Sequence, residues 1–323
     1  MKHAFSLLAG LPLLVGLAAA EPPALVFSGM CDASAAVALG PDLFAVGNDE
    51  DNILRFYRVS QPGKPVDTYN LNPFLFGRKK SPEADLEGAA RVGNCVYWIT
   101  SHGRNAEGKP APHRHRFFAL ELTAGAGGPG VRPVGRPYTN LVNDLVQDPK
   151  LKRFQLAEAA RRAPKDPGGL NIEALTDTPE GHLLIGFRNP VPEGRALVVP
   201  LLNPDALLQG RPARFGEPRL LDLGGRGLRG IGSTGSGYYL IAGPAGAGAD
   251  SRIFLWAGGE AAPRPIAGQR FPGLNLEGLC FHDAAGRRDF LVLSDDGSLP
   301  TGGRECKSLP EAGRRFRALR IAP

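Results

Sequence analysis

The chain has 323 residues, 42% of them hydrophobic and 22% charged, with a formal net charge of +6. That apolar fraction supports a packed core and excludes a disordered chain. With 43 glycines and 30 prolines, many turns are expected and long helices are not. Basic residues are scattered, form no dense block and do not alternate with aromatics, which speaks against a nucleic-acid groove.

The first element is a leader. Lys2 and His3 precede an apolar run over 4–20 that ends in Ala18-Ala19-Ala20. A short basic start, an apolar stretch and small residues at the end describe a secretory signal peptide over 1–20. The run is shorter than the ~20 residues of a spanning helix, so no stable membrane span is expected. The mature chain, with +5 once Lys2 is gone, is expected from Glu21 to Pro323 as a single domain, periplasmic or secreted. Cys31, Cys95, Cys280 and Cys306 make an even set, which in an exported chain suggests disulfides. Pairing nearest in sequence gives Cys31–Cys95 and Cys280–Cys306; free buried thiols are the alternative.

From Asp32 a unit begins with a strand, a turn at Gly40-Pro41, a strand ending at Asn48-Asp49 and a strand over 53–59. A second unit starts at Asp85-Leu86-Glu87-Gly88-Ala89. It turns at Gly93-Asn94, has a strand over 96–100 that ends in Ser101, His102 and Arg104, and a third strand over 117–122. The stretch 138–163 then loses strand alternation. Leu141, Val142, Leu145 and Val146 have helical spacing behind Thr139 or Asn140 as N-cap, and Asp148-Pro149 reads as the start of a second helix. A helical insertion over about 138–165 follows, with a hidden sixth blade as the alternative.

The third unit opens with Asn171-Ile172-Glu173-Ala174-Leu175. It turns at Pro179-Glu180-Gly181 and has strands over 183–187 and 196–202, the first followed by Arg188-Asn189. The fourth starts near Leu228, with Arg229 at the glutamate position, a turn at Gly235-Ser236-Gly237 and strands over 238–242 and 252–256. The fifth opens with Asn275-Leu276-Glu277-Gly278-Leu279 and turns near Ala285-Gly286. Its strand over 290–294 ends at Asp295-Asp296, and a strand over 316–321 closes the unit. Repeated four-stranded units of ~40 to 50 residues are the mark of propeller blades. The expected fold is therefore all-β: a β-propeller of five blades with a short helical insertion. A packed-sheet sandwich competes, but it would not require the same polar word at each repeat.

Several of these words resemble a bacterial family known only as domain of unknown function 3616. The matching residues are Asp85-Leu86-Glu87-Gly88, Ser101-His102-Gly103-Arg104, and Asn171-Ile172-Glu173 with Ile185-Gly186-Phe187-Arg188. The resemblance spans most of the mature chain and implies a β-propeller-like fold and no established activity. More distantly, Gly168-Gly169-Leu170-Asn171-Ile172-Glu173-Ala174-Leu175 looks like a word of the exported esterase-like phytase propellers. The chain departs from that family in having glycine and leucine where a basic residue precedes the glutamate.

In a propeller the first strand of each blade lines the channel, so Glu87, Glu173 and Glu277 are expected as one group. The strand-end residues are expected to reach the same rim only through their loops. Converging carboxylates need a divalent cation, arginines or protonation to offset their repulsion. Calcium or another divalent cation suits Glu87, Glu173 and Glu277 together with Asp85, Asn171 and Asn275, which lie two residues earlier on the same strand face. Arg104, Arg188 and Arg229, with Asn189, could hold an anionic ligand. Glu87 and Glu173 are the candidate catalytic carboxylates, and His102 the candidate acid or base. Against these stand plain structural roles: a blade-to-blade pin for the glutamates, a hydrogen-bonding loop residue for His102, and an exposed basic loop for His113, Arg114 and His115. No G-x-S-x-G elbow, H-E-x-x-H helix or P-loop is present. Ser294-Asp295-Asp296-Gly297 lacks the spacing of an EF-hand. The expected role is that of an exported monomer binding a small anionic ligand or envelope component at the channel mouth. The alternative is a metal-dependent or acid–base hydrolase of phosphoesters or lactones.

Overall fold

The computed structural model describes residues 24–321 except 79–80, 126–127, 249, 268–270 and 285–286. The leader over 1–20 and the turn at Ala285-Gly286 lie outside the described residues. Five four-stranded antiparallel sheets form the fold. Blade 1 comprises Ala33–Ala38, Leu43–Asn48, Ile53–Arg58 and Asp67–Asn70, and blade 2 comprises Leu86–Val92, Cys95–Thr100, Phe117–Gly125 and Gly128–Tyr138. Blade 3 has Asn171–Asp177, Leu183–Asn189, Ala196–Leu201 and Arg219–Leu221, and blade 4 has Gly227–Ser233, Tyr238–Gly243, Arg252–Trp256 and Arg264–Pro265. Blade 5 is built from Leu276–Ala284, Arg287–Ser294 and Arg315–Ile321, and its outer strand is Leu25–Ser28 from the other end of the described chain.

Five interfaces between blades hold the ring together, and each has its own apolar cluster. Trp98 and Phe118 pack against Leu54 and Phe56 between blades 1 and 2, while Ile172, Ile185 and Phe187 pack against Ile99 and Phe117 between blades 2 and 3. Leu228, Leu240 and Trp256 meet Ala196 and Val198 between blades 3 and 4, and Phe290 and Val292 meet Tyr239 and Ile241 between blades 4 and 5. Sheets buried on both faces need apolar residues at consecutive positions, as in the fully buried strand Leu183–Asn189. This is why the central strands read as runs and not as alternation.

Closure between blades 5 and 1 is the most aromatic interface. Phe27 has ring centroids of Phe44, Tyr57 and Phe316 each at 5.2 Å, and the Tyr57 hydroxyl donates to the Ser28 carbonyl at 2.8 Å. The disulfide joins Cys31 to Cys306, 275 residues apart. Cys95 and Cys280 are free thiols, so both pairings expected from sequence proximity are corrected. Cys31 sits just before the inner strand of blade 1, and Cys306 in the loop before the last strand of blade 5. The ring brings these together, while Cys95 and Cys280 lie in sheets of blades 2 and 5.

No sixth blade lies between blades 2 and 3. That interval holds the fourth strand of blade 2 and then helix Leu141–Gln147, a 3-10 turn Lys152–Phe154 and helix Leu156–Ala159. Asp148 ends the first helix instead of starting a second, its amide donating to the Asp144 carbonyl. Leu141, Leu145, Leu151, Phe154 and Leu156 dock on the cluster between blades 2 and 3. Docking of that apolar stripe stabilises segments too short to be helical alone.

Truncating the closure core should be costly. Phe27→Ala is expected to lose about 3–5 kcal/mol of unfolding free energy, the range for a large buried aromatic, in urea denaturation followed by tryptophan fluorescence. A loss under about 1 kcal/mol, the level of a surface substitution, would mean that the outer strand of blade 5 is not integral to the ring.

Candidate functional site

Each inner strand begins with the same local irregularity. Register shifts fall between Ala33 and Ala35, Leu86 and Gly88, Ile172 and Ala174, Leu228 and Gly230, and Leu276 and Leu279. The residues in those shifts are Ser34, Glu87, Glu173, Arg229 and Glu277. A bulge re-aims the side chain it carries, and four of the five, all but Ser34, line one opening of about 620 Å³ at the channel end. The residue after the bulge is small because the next inner strand crosses close by. A Cβ on Gly88 would lie 2.9 Å from the Leu175 amide nitrogen, and one on Gly230 would overlap the Glu277 carbonyl oxygen. The Glu-Gly and Glu-Ala words therefore combine two demands: a polar side chain for the mouth, and close approach of the following backbone. Below the mouth, Ser34, Gly88, Ala174, Gly230 and Gly278 leave only about 10 Å³, so the channel is plugged.

Antiparallel pairing brings the end of each second strand to the same rim. Ala33 faces Asn48, Leu86 faces Thr100, Asn171 faces Asn189, and Leu276 faces Ser294. The expectation that loops would decide this is corrected: a hairpin's outgoing start and returning end lie side by side. Asp49, Arg188 and Asp295 thereby enter the mouth directly.

Blades 3, 4 and 5 share a buried ion-pair chain. Arg188 Nη1 is 2.7 Å from Glu173 Oε1, Arg229 Nε is 3.5 Å from Glu173 Oε2, and Arg229 Nη2 pairs with Glu277 Oε1. Asn171 Nδ2 donates to Glu173 Oε1 at 2.7 Å, and Asn275 Nδ2 donates to Asp295 Oδ2 at 3.0 Å. Arg229 Nη1 donates to Asn275 Oδ1 at 2.7 Å. All five of Asn171, Glu173, Arg188, Arg229 and Glu277 are buried. Glu173 and Glu277 thus pin neighbouring blades through arginine.

The other side of the mouth is acidic and less fully neutralised: among the described residues Asp85 pairs with Arg114 and Glu50 with Lys307. Asp32, Asp49, Glu50, Asp85, Glu87 and Asp295 line it. Burial, with Glu173, Asp85 and Asp49 close by, pushes the Glu87 carboxyl well above the usual range. Burial, then Asp295 and Asp32, does the same to Asp49. Asp32 rises to about 7 through burial and its neighbours Asp295 and Glu50. Asp85 rises to about 6 through burial, although Arg114 Nη1 is 3.0 Å away. In total, nine acidic side chains line the opening against five basic ones.

Three of the residues singled out from the sequence sit elsewhere. His102 is buried outside the mouth lining, with Nδ1 2.7 Å from the Thr100 carbonyl oxygen and its ring against His115. Burial and His115 push it down to about 3, so the imidazole is neutral and removed from the opening. Arg104 donates to the Ala160 and Gly108 carbonyls at 3.0 and 2.9 Å, and Asn189 donates to the Pro164 and Asp166 carbonyls at 2.9 and 2.7 Å. Both hold the insertion, whose residues Ala163, Pro164, Lys165 and Asp166 line the mouth. Arg114, by contrast, expected in an exposed loop, reaches the site through Asp85 and Glu83. Asp32, Asp49, Glu50 and Lys307 were also missed as a group. Asp49 follows the second strand of blade 1 as Asp295 follows that of blade 5, and this repeat position is the signal that could have found it.

Two outcomes follow from this geometry. Arg229→Met leaves Glu173 and Glu277 short of a buried partner and is expected to cost about 3–5 kcal/mol, read by denaturant unfolding at neutral pH. A near-neutral effect would mean the carboxylates are solvated. Asp85 and Glu87 bind protons more tightly folded than unfolded. Their contribution is therefore fully present below the ordinary carboxylate pKa and is lost as pH rises through about 6 and above. In chelator, Tm should fall between about pH 5 and pH 8, and Glu87→Gln should flatten the fall; a rising Tm would contradict a protonated mouth.

Comparison with known proteins bears out the family resemblance. Residues 135–283 match the model of DUF3616, a protein family of unknown function. The match takes in Asn171, Glu173, Arg188, Arg229 and Glu277, while Glu87 lies before it. No curated protein matches the chain. Among solved structures, a mutant of the GH43 protein BlXynB from Bacillus licheniformis is similar at 12% identity and TM-score 0.48, covering 85% of this chain and 50% of that one. The chain thus spans half the length of that protein. Glutaminyl cyclase from Myxococcus xanthus is similar at 12% identity and TM-score 0.45, with 94% and 96% covered. A GH43_1 enzyme from Xanthomonas citri is similar at 14% identity and TM-score 0.46, with 93% and 91% covered.

Proposed function

We propose that the protein is an exported binding propeller whose mouth takes a small ligand rich in hydrogen-bond donors, cationic or polyhydroxylated. The observation that carries this reading is a set of buried oxygens that accept no hydrogen bond, one of them, Glu173 Oε2, having only Arg229 Nε at 3.5 Å beside it. Glu173 Oε2, Asn171 Oδ1 and Asp49 Oδ1 all lie at the mouth and accept no hydrogen bond from the described residues. Buried acceptors left open favour a ligand that donates to them. The charge balance favours the same chemistry. Arg188 and the Nη atoms of Arg229 are committed to Glu173, Glu277, Asn275 and backbone carbonyls, and Arg229 Nε, which donates no hydrogen bond, faces Glu173 Oε2, so the mouth offers fewer open donors than open acceptors. The expected anionic ligand is therefore replaced here by a donor ligand. Export is supported by the Cys31–Cys306 disulfide, since such bonds persist in oxidising compartments. No helix among the described residues is long and apolar enough to cross a membrane.

Calorimetric titration with glucosamine, spermidine, glucose and inorganic phosphate separates these readings. Binding of the amine or hydroxyl probes that weakens about tenfold or more in Asn171→Ala, the scale of one lost hydrogen bond of ~1.4 kcal/mol, is the expected result. Binding of phosphate alone would sink the donor-ligand reading.

Acid–base hydrolysis has one observation in its favour. Burial and neighbouring carboxylates push the Glu87 carboxyl well above the usual range, beside a Glu173 that is ion-paired with Arg188, and such unlike carboxyls can divide acid and base roles. Turnover of a phosphoester or lactone that disappears in Glu87→Gln, with the fold intact, would favour it over simple binding.

A further inference from the structure

We propose a divalent-cation site on the blade 1 side of the mouth, formed by Asp32, Asp49 and Glu50. One carboxylate oxygen from each lies within 4.8 Å of the others. The antiparallel register explains the cluster. Ala33 pairs with Asn48, so Asp32 before the inner strand faces Asp49 after the second strand, and Glu50 follows.

Acidic side chains gather on many surfaces without a ligand, so the state of these groups matters more than their proximity. Asp32 is only 5% exposed and makes no hydrogen bond or ion pair among the described residues. Asp49 Oδ1 is likewise buried without a partner. Ordinary buried carboxylates are paired with a cation or with donors, as Asp296 of blade 5 is with Arg317 at 2.7 Å and with Ser294 at 2.8 Å. Asp32 and Asp49 are left to an external partner, and both face the opening.

All-oxygen carboxylate donors select a hard cation, with calcium the best fit and magnesium or manganese next. The three carboxylates would supply part of the coordination shell and water the rest. Lys307 is the built-in competitor: its Nζ is 3.2 Å from Glu50 Oε1. Lys307 and Asp32 each directly follow a cysteine of the Cys31–Cys306 disulfide, so that bond sets both the ligand and its competing charge. This site shares Asp49 with the donor-ligand reading, whose other two acceptors, Asn171 Oδ1 and Glu173 Oε2, belong to blade 3 and are tested separately by Asn171→Ala.

The test uses the full mature chain, stripped with chelator and titrated with calcium, magnesium and manganese chlorides in a calorimeter and in thermal melts. Calcium is expected to bind with a Kd in or below the ~10⁻⁴–10⁻³ M range of extracellular modules and to raise Tm. Asp49→Asn and Asp32→Asn should weaken binding at least tenfold, and Lys307→Ala should tighten it several-fold. Glu50 is exposed, so Glu50→Gln keeps the fold and should weaken binding even if a buried variant does not fold. Failure of all three ions to give heat or shift Tm at about ten times that range overturns the proposal. Calcium binding unchanged in Glu50→Gln and Asp49→Asn overturns it as well.

Discussion

Five bulges aim five side chains at one axis, and the charge of those side chains must be balanced inside a small buried space. The remaining features of the mouth follow from that constraint. On one side the balance comes from guanidinium groups: Glu173 lies between Arg188 and Arg229, and Arg229 reaches on to Glu277. Because these partners belong to three successive blades, balancing charge also fastens blade to blade. On the other side no arginine among the described residues forms an ion pair with Glu87, and burial beside other carboxyls pushes it well above the usual carboxylate range. The two halves of one ring thus use the two different remedies available to crowded carboxylates.

Closure of the ring is the second requirement, because the mouth exists only if blades 5 and 1 meet. The strand Leu25–Ser28 is added to the edge of blade 5, which removes an open edge and buries Phe27 among three aromatic rings. The disulfide then spans the same seam. It connects the residue before Asp32 to the residue before Lys307, so the covalent closure and the acidic corner of the mouth are parts of one local structure. Asp296, whose amide donates to the Cys31 carbonyl at 2.9 Å, ties the loop of blade 5 to the same place.

The helical insertion extends this logic outward. Its apolar stripe fills the gap between blades 2 and 3, while the segment after it hangs over the opening. Arg104 and Asn189 do not line the opening. They grip backbone carbonyls of the insertion and so decide where Lys165 and Asp166 stand. A polar residue near a site can thus act by positioning the rim, and strand-end location alone does not distinguish that role from direct contact.

Much of the architecture was legible in the chain itself. Repeated words such as Asp85-Leu86-Glu87-Gly88 and Asn275-Leu276-Glu277-Gly278 carry the period of the blades, since each blade must solve the same packing problem at its inner strand. Arg229 could be placed at the glutamate position from that repeat alone. Local signals also marked Leu141–Gln147, whose spacing of apolar residues is a property of neighbouring positions. What tertiary structure decided was everything that depends on distance through space between residues far apart in sequence. The partner of Cys31 is Cys306, because ring closure and not sequence proximity sets which thiols meet. His102 was drawn into the core, where burial removes its charge, and Arg114 was brought from a proline-rich loop to Asp85. Asp32, Asp49 and Glu50 became one acidic corner only when the first hairpin closed in register. Sequence repeats encode local geometry that recurs in every blade; the chemistry of the mouth arises from the unlike residues that those repeats bring to one axis.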